Sequence, residues 1–296
     1  MKPLYITKTG NYCQNIEDHL PHLKPTVFSS TGKHVRRVTR FIELALIGAG
    51  RAASNLPKSS SVYLSSARGD MGVTIEALNR IYLEQQIPGP RNFINSVSNA
   101  ACFNIANALE LDSASYFITN RYLSLESVLH IACLDLLSGD TDSALVGVVD
   151  CVTLPLSEHR IRLSLPADTP LAEGSHWLQL TSNPNSDSII ATLTLPRFFH
   201  NHTEIDTWLQ TLKLHRENAY FAAGQSLLLE EKERWLDQTG LPPFDYQSHT
   251  GHFDSQVGRA FCRFIETQNE GASLLYINRD SENRYVAIQI ENIHRT

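Results

Sequence analysis

Residues 115–153 constrain the fold more than any other stretch, because they predict a strand, a sharp turn, a helix and a second strand in succession. Residues 115–119 are β-branched and aromatic, and apolar residues then recur at helical spacing from 123 to 138. Gly139 is expected to end that helix. The run at 143–153 is almost continuously apolar, as in a strand covered on both faces of a parallel sheet. This stretch is therefore a βαβ unit that presents Tyr122 at the start of its helix.

The start of a helix is a suitable place for a reactive thiol, because unpaired backbone N–H groups and the helix dipole lower the pKa of a thiol there. Here the residue is Tyr122 instead. A tyrosine with a pKa near 10 is ionised to about one part in a thousand at pH 7 unless a strong base is nearby. We therefore interpret Tyr122 as a bulky side chain that fills the space of a substrate, with a tyrosine nucleophile as the alternative.

Composition and charge narrow the possible partners. The chain has 296 residues, 42% of them hydrophobic, which suits one large domain or two closely packed ones. Its net charge is −6, and it has no basic cluster beyond Arg36 and Arg37, so we expect no nucleic acid partner. No run of about eighteen apolar residues and no signal peptide are evident, so we expect no membrane span and a soluble, cytoplasmic protein.

Cysteines and histidines give no sign of a metal or cofactor site. The five cysteines are odd in number and lack CxxC spacing, so we expect reduced thiols without disulfides or zinc, and we expect Cys133 and Cys151 to pack in the core. The paired histidines fall in loops without Cys or Glu at ligand spacing. The turn at 67–72 matches neither phosphate-binding glycine motif, and no GxSxG elbow occurs. No cofactor and no metal are therefore predicted.

The other periodic segments predict two halves in which the order of strands and helices recurs loosely, without a repeat of individual residues. The first half carries a strand at the N-terminus, a helix at 36–54, a strand at 61–66, and helices from 72 to 86 and from 96 to 109. Residues 181–187 are rich in Asn, Pro and Ser and mark a boundary, so the halves are residues 1–182 and 183–296. In the second half, strands are predicted at 189–195, 220–224, 273–278 and 285–290. The last two strands form a hairpin, and the other strands are separated by helices.

The βαβ unit and the helix before it resemble the N-terminal half of the β-ketoacyl synthases, the condensing enzymes of the thiolase fold. Counting back seventeen residues from Gly139 reaches Tyr122, the position of the family's nucleophilic cysteine. A gap-free alignment from Asn99 reaches the same residue. Asn120, Arg121 and Leu123 replace the small residues that surround the cysteine in the family. This pattern is that of a ketosynthase-like partner, not of a working ketosynthase.

Further matches in the second half concern the other catalytic groups of the family. Residues 249–260 are similar to the Lys-x-x-x-Gly-His motif, with His252 at the histidine and Gln247 at the lysine. The second family histidine falls at Ala223. The resemblance thus implies that the nucleophile, one histidine and the lysine have been replaced, while His252 is retained.

The resemblance also implies a fold. Thiolase folds consist of two similar halves whose sheets enclose shared helices, which gives five layers in the order α-β-α-β-α. Residues 172–180 resemble a turn and edge strand of the family. Because full ketosynthases are longer by roughly a third, we expect a chain that has lost insertions and kept its core elements.

In function, the resemblance implies a chain-length factor without its own nucleophile, of an aryl polyene, other type II polyketide or fatty-acid-like system. Such a subunit forms a heterodimer with an active ketosynthase, shapes the acyl tunnel, and meets the acyl carrier protein through that partner. Six residues are expected at the tunnel or the interface: Arg68, Met71, Asn99, Phe103, Tyr116 and Ile118.

Three alternatives stay open at this stage. Phe103 is either a gate of the tunnel or an ordinary core residue. The chain itself is either a chain-length factor or a divergent acyltransferase or hydrolase that uses Tyr122 or His252. A module that only binds acyl carrier proteins is the third possibility.

Overall fold

The computed structural model describes residues 3–17, 19–97, 99–183, 188–212 and 216–293, with Arg91 described by its backbone only. The strands are β1 Leu4–Ile16, β2 Ser61–Ser66, β3 Ser115–Thr119, β4 Ser143–Asp150, β5 Leu171–Thr181, β6 Ala191–Leu193, β7 Arg197–Phe199, β8 Ala219–Ala223, β9 Ser273–Arg279 and β10 Tyr285–Asn292. The helices are α1 Lys24–Thr31, α2 Arg40–Ala52, α3 Met71–Tyr82, α4 Pro90–Ser96, α5 Ala100–Leu109, α6 Ser124–Ser138, α7 Leu156–Arg162, α8 His202–Thr211, α9 Leu229–Thr239 and α10 Gln256–Thr267.

All ten strands join one hydrogen-bonded sheet in the order β3-β2-β4-β5-β1-β6-β10-β9-β8, with β7 paired to β10. Parallel pairing occurs toward the two ends of this order, in β3-β2-β4 and in β9-β8. The strands between them pair antiparallel. The short strand β6 pairs with both β1 and β10 and so links the halves. The predicted parallel strands are present, but the sheet as a whole is mixed.

The core residues divide into layers that confirm the predicted α-β-α-β-α architecture. One cluster covers one face of β2 and β4 with α2 and α5. A second places α6 and α10 between the other face of those strands and β9 and β10. A third packs α8 and α9 on the far face of β8 and β9. The two central helices are therefore shared by both halves, as in the thiolase fold.

The predicted βαβ unit has the expected form. β3 and β4 match their predicted starts, and α6 ends at Gly139, whose φ of +84° is the left-handed conformation that favours glycine. All eight residues of β4 are buried. At Gly147 a Cβ atom would lie 2.0 Å from Cδ2 of Trp177, so the glycine lets the indole of β5 pack directly on β4.

Several sequence predictions are wrong in detail. β5 is not an edge strand: it is buried between β4 and β1 over almost its whole length. Its acidic residue Glu173 is fully buried because Arg40 of α2 donates to both of its carboxylate oxygens. Segments α1, α4, α7 and β7 were not predicted, and α5 begins at Ala100 rather than Ser96. Most of the predicted boundary at 181–187 lies outside the described residues.

Candidate functional site

The turn between β3 and α6 is held by the side chain of Asn120. Its Oδ1 atom accepts long hydrogen bonds, each 3.4 Å, from the backbone N–H groups of Tyr122 and Leu123. Its Nδ2 atom donates to Ser127 Oγ at 3.0 Å. Asn120 thus takes up two amides of the turn that would otherwise be open to a ligand.

Tyr122 lies at the surface of this turn and lines a cavity of about 170 Å³. Its side chain is 37% exposed, and the guanidinium of Arg121 stands 5.4 Å above its ring. Its backbone oxygen accepts a hydrogen bond of 3.2 Å from Asn278 Nδ2 of β9. The cavity is lined by residues from both halves: Arg68, Arg121, Tyr122, Ser124, Glu126, Leu163, Gln225, Ser226, His252, Asp254, Ser255, Val257, Tyr276 and Asn278.

Glu126, in the first turn of α6, is a buried carboxyl group in the wall of this cavity. Its Oε1 atom accepts hydrogen bonds of 2.8 Å from the Tyr276 hydroxyl and from Asn278 Nδ2. Its Oε2 atom is buried without a hydrogen-bond partner among the described residues. Burial raises the pKa of Glu126, while the bonds from Asn278 and Tyr276 act against that rise. This network ties α6 to β9 across the junction of the halves.

His252 and Arg68 meet on the opposite wall through Asp254. Arg68 Nε donates to Asp254 Oδ2 at 2.6 Å, and His252 Nε2 lies 3.9 Å from Asp254 Oδ1. Burial alone would raise the pKa of Asp254, but its contacts with His252 and Arg68 hold that pKa below the ordinary value. The pair of Arg68 and Asp254 lines both this cavity and a smaller neighbouring one.

The smaller cavity contains Asp150 at the end of β4. Asp150 Oδ1 accepts from Ser66 Oγ at 2.7 Å and from the Ala67 amide at 3.2 Å, whereas Oδ2 has no partner among the described residues. Burial, and then the charge of Asp254, raise the pKa of Asp150 to about 7. Met71 lines this cavity too.

Two of the three positions at which the resemblance implies a replaced catalytic group lie away from the cavity lining. Ala223 ends β8 half-buried, and its carbonyl accepts a 2.7 Å hydrogen bond from the Tyr246 hydroxyl. Gln247 is exposed and its Nε2 atom donates to the same hydroxyl at 3.3 Å. Gln225, two residues after Ala223, lines the cavity and donates to the Phe253 carbonyl at 3.0 Å. The structure therefore brings together Tyr122 and His252, with Gln225 beside them.

The cysteines lie elsewhere. None of the five is in the lining of the Tyr122 cavity, although Cys151 lines the smaller one. Burial raises the pKa of every cysteine thiol in the chain. Burial thus disfavours the thiolate form of all five cysteines.

The predicted tunnel and interface residues fall into two groups. Arg68 and Met71 line the cavities described above. The others lie around β3: Asn99, the N-cap residue of α5, and Phe103 on α5 are exposed, Tyr116 is exposed and stacks on Tyr63, and Ile118 is half-buried against the central core. With 70% of its surface exposed, Phe103 is not a core residue of this chain.

Sequence reasoning did not find Glu126, Asn278 or Asp254. A glutamate in the first turn of a helix ordinarily faces solvent and complements the helix dipole. Its two partners lie 150 and 152 residues further along the chain, so no local spacing connects them. The only signal in the sequence is that Glu126 falls among the apolar residues Leu125, Val128 and Leu129.

Neither a protein-family model nor a curated protein sequence matches the chain. Solved structures do. The ishigamide ketosynthase/chain length factor aligns over 99% of this chain and 100% of its own with a TM-score of 0.75 and 13% identity. A β-ketoacyl synthase from Burkholderia phymatum aligns over the same shares with a TM-score of 0.74 and 11% identity. The chain therefore has the ketosynthase fold.

A third structure of this fold contains a carrier protein. It is a type II polyketide synthase ketosynthase in complex with its acyl-carrier protein, AntDE:AntF, and it is bound to the hexaketide. It covers 99% of this chain and 100% of its own, with a TM-score of 0.70 and 14% identity. At this identity the likeness shows the fold alone. No helix of the described residues is both long and apolar enough to cross a membrane.

Proposed function

We propose that this chain is a ketosynthase-like chain-length factor that pairs with an active β-ketoacyl synthase and shapes its acyl tunnel in polyketide or fatty-acid-like chain elongation. The observation that carries the proposal is Tyr122 at the strand-to-helix turn of a ketosynthase fold. A condensing enzyme needs a nucleophile there, and this chain has a phenol at the position where the family has a thiol. Aryl polyene synthesis is the system we favour.

The surface around β3 supports a protein partner. β3 ends the sheet order and, among the described residues, pairs only with β2, so its other edge is open to a partner strand there. The chain from α3 through α5 to β3 is contiguous in space. It carries ten of the twenty large apolar residues that are exposed among the described ones: Leu78, Ile81, Tyr82, Leu83, Ile87, Phe93, Ile94, Val97, Phe103 and Tyr116. Apolar exposure on this scale favours a permanent interface.

In the proposed heterodimer, β3 of this chain pairs antiparallel with the equivalent strand of the ketosynthase. That pairing satisfies the open edge, and the apolar surface of α3, α4 and α5 covers the partner on either side. We expect a buried area above about 2,000 Å², as in permanent complexes. Residues 1–182 and 183–296 are then the N-terminal and C-terminal halves of a soluble, cytoplasmic subunit.

The carrier protein is proposed to dock mainly on the ketosynthase. Carrier proteins of the family are acidic, and a chain with a net charge of −6 offers them no electrostatic attraction overall. The carrier bound to a ketosynthase in the AntDE:AntF structure is consistent with this arrangement.

Reconstitution tests the proposal. The chain is expressed alone and with a ketosynthase of the same organism, and each product is incubated with acyl and malonyl carrier proteins. We expect a one-to-one complex that elongates, an isolated chain that does not, and no acyl adduct on this chain by intact-protein mass spectrometry. An adduct on Tyr122 would instead support the alternative of a divergent acyltransferase. The observation that favours this alternative is that Tyr122 and His252 line the same cavity.

The interface is tested with two equally exposed aromatic residues. Tyr116 on β3 and Phe198 on β7 are both 42% exposed, but only Tyr116 lies on the proposed contact surface. Tyr116→Glu should prevent complex formation in light scattering, because it would bury an unpaired charge. Phe198→Glu should leave the complex intact. Equal behaviour of the two variants would exclude the β3 edge as the contact.

A further inference from the structure

The cavity beside Tyr122 has two polar groups that the proposed function does not use. Glu126 Oε2 is buried without a partner, while Oε1 of the same carboxyl already accepts two hydrogen bonds. Arg121 lines the same cavity, contacts the Tyr122 ring, and forms no salt bridge within the part of the chain that the structure describes. Leaving a buried polar atom without a hydrogen bond costs free energy, so a ligand that donates a hydrogen bond to Glu126 Oε2 would be stabilised there.

The charges of the cavity determine what kind of ligand fits. Arg68 and Asp254 compensate each other at 2.6 Å. His252 lies 3.9 Å from the same Asp254, which leaves one acidic side chain, Glu126, and one basic side chain, Arg121, without an ion-pair partner among the described residues. With Glu126 ionised, the two charges are opposite, so the lining as a whole does not favour a net anion or a net cation. A neutral, polar ligand can form hydrogen bonds with both groups if its donor faces Glu126 and its acceptor faces Arg121.

We propose that this cavity binds a small neutral molecule with a terminal primary carboxamide, whose N–H group donates to Glu126 Oε2 and whose carbonyl accepts from Arg121. A volume of about 170 Å³ limits the bound part to a short group. The inference does not depend on a ketosynthase partner, because every residue that it uses belongs to this chain.

Glu126 is well placed to select such a group because its orientation is fixed. Tyr276 and Asn278 hold Oε1, and Asn278 is itself anchored by donating to the Tyr122 carbonyl and accepting from the Ser226 amide. The free oxygen therefore cannot rotate away without breaking bonds to β9. A preorganised acceptor discriminates between ligands by hydrogen-bond type more strongly than a mobile one.

The test uses propionamide as the probe and two molecules of nearly the same shape as comparisons. Butan-2-one replaces the amide NH₂ with a methyl group, and propionate replaces it with a charged oxygen. Ligand-observed NMR titrations of the purified chain measure each Kd. Propionamide should bind saturably and about tenfold more tightly than either comparison, since a hydrogen bond to a charged group is lost in both.

Two variants assign the selectivity to the two residues. Glu126→Gln keeps the size but places an N–H donor where Oε2 was, so the preference should change from propionamide to propionate. Arg121→Gln replaces the guanidinium with a shorter, neutral amide at an exposed position and should weaken propionamide binding several-fold without affecting folding. The matched control Arg36→Gln, also an exposed arginine, should leave the Kd unchanged.

Each result of these titrations either supports or overturns the proposal. If the wild-type chain shows no saturable binding, or does not distinguish propionamide from butan-2-one, the free oxygen is satisfied by water and the proposal is overturned. A wild-type preference for butan-2-one or propionate would make Glu126 a protonated donor, which also overturns it. Should Glu126→Gln fail to fold, Arg121→Gln against Arg36→Gln decides alone. Because no partner is present, none of these results depends on the chain-length role.

Discussion

Phe103→Ala separates an interface residue from a core residue. Full burial of a phenylalanine contributes about 1.5–3 kcal/mol. Phe103 is 70% exposed on α5, so only about 30% of that burial contributes to folding. Truncation to alanine should therefore lower the free energy of unfolding by about 0.5–1 kcal/mol. Alanine has the better helix propensity and returns about 0.5 kcal/mol. The free energy of unfolding of the isolated chain should therefore change by less than about 0.5 kcal/mol.

Phe41→Ala is the matched control, because Phe41 is 2% exposed on α2 and its truncation should cost about 3–5 kcal/mol. Urea unfolding of the refolded chain measures both variants. In the complex the expectation reverses: Phe103→Ala should weaken assembly by about 1 kcal/mol or more, and it should lengthen the product if Phe103 also closes the tunnel. A loss of stability equal to that of Phe41→Ala would refute the reasoning. Unchanged assembly and product length would remove Phe103 from the interface.

Three further predictions follow from the site. Tyr122→Cys should not condense acyl and malonyl thioesters on its own, because Ala223 still supplies no imidazole; turnover by the isolated variant would contradict this. Charge reversal of both Arg36 and Arg37 should leave turnover of the complex near that of the wild type, and a tenfold loss would place a carrier-docking patch there. The free energy of unfolding should depend on pH through Asp150, and Asp150→Asn should remove that contribution.

The sequence predicted the elements whose pattern is local. Continuous apolar strands such as β4 and a helix ended by glycine such as α6 were found with nearly correct bounds. The N-terminal strand was predicted only over residues 1–7, because residues 8–15 are mostly polar, yet those residues pair along β5. Backbone pairing between distant strands leaves no apolar periodicity in such a segment.

The candidate site shows the same division. Tyr122 could be located because a strand, a turn and a helix flank it in sequence. The residues around Tyr122 could not be predicted, because the hydrogen bonds of Glu126 come from Tyr276 and Asn278 in the other half of the chain. Likewise Glu173 resembles a turn residue until Arg40 of α2 is placed beside it. Burial and charge compensation arise from long-range packing, which one sequence does not display.

The pH dependence rests on the sign of the shift at Asp150. Its pKa of about 7 in the folded chain lies above the ordinary value near 3.9, so folding favours the protonated carboxyl. This contribution is fully present below about pH 4, is lost as the pH rises through about 7, and amounts to at most roughly 4 kcal/mol.

Acid has the opposite effect through His176, whose pKa burial lowers to about 3, so the wild-type curve alone does not isolate Asp150. The difference between wild type and Asp150→Asn does, because His176 is common to both. That difference should shift in favour of the asparagine variant from about pH 4 to about pH 7, measured by urea unfolding, whereas the exposed control Asp142→Asn should show no such shift. A difference that stays constant with pH would mean that Asp150 is ionised throughout. Arg68 would then be the arginine beside two ionised carboxylates, Asp150 and Asp254, in the lining of the smaller cavity.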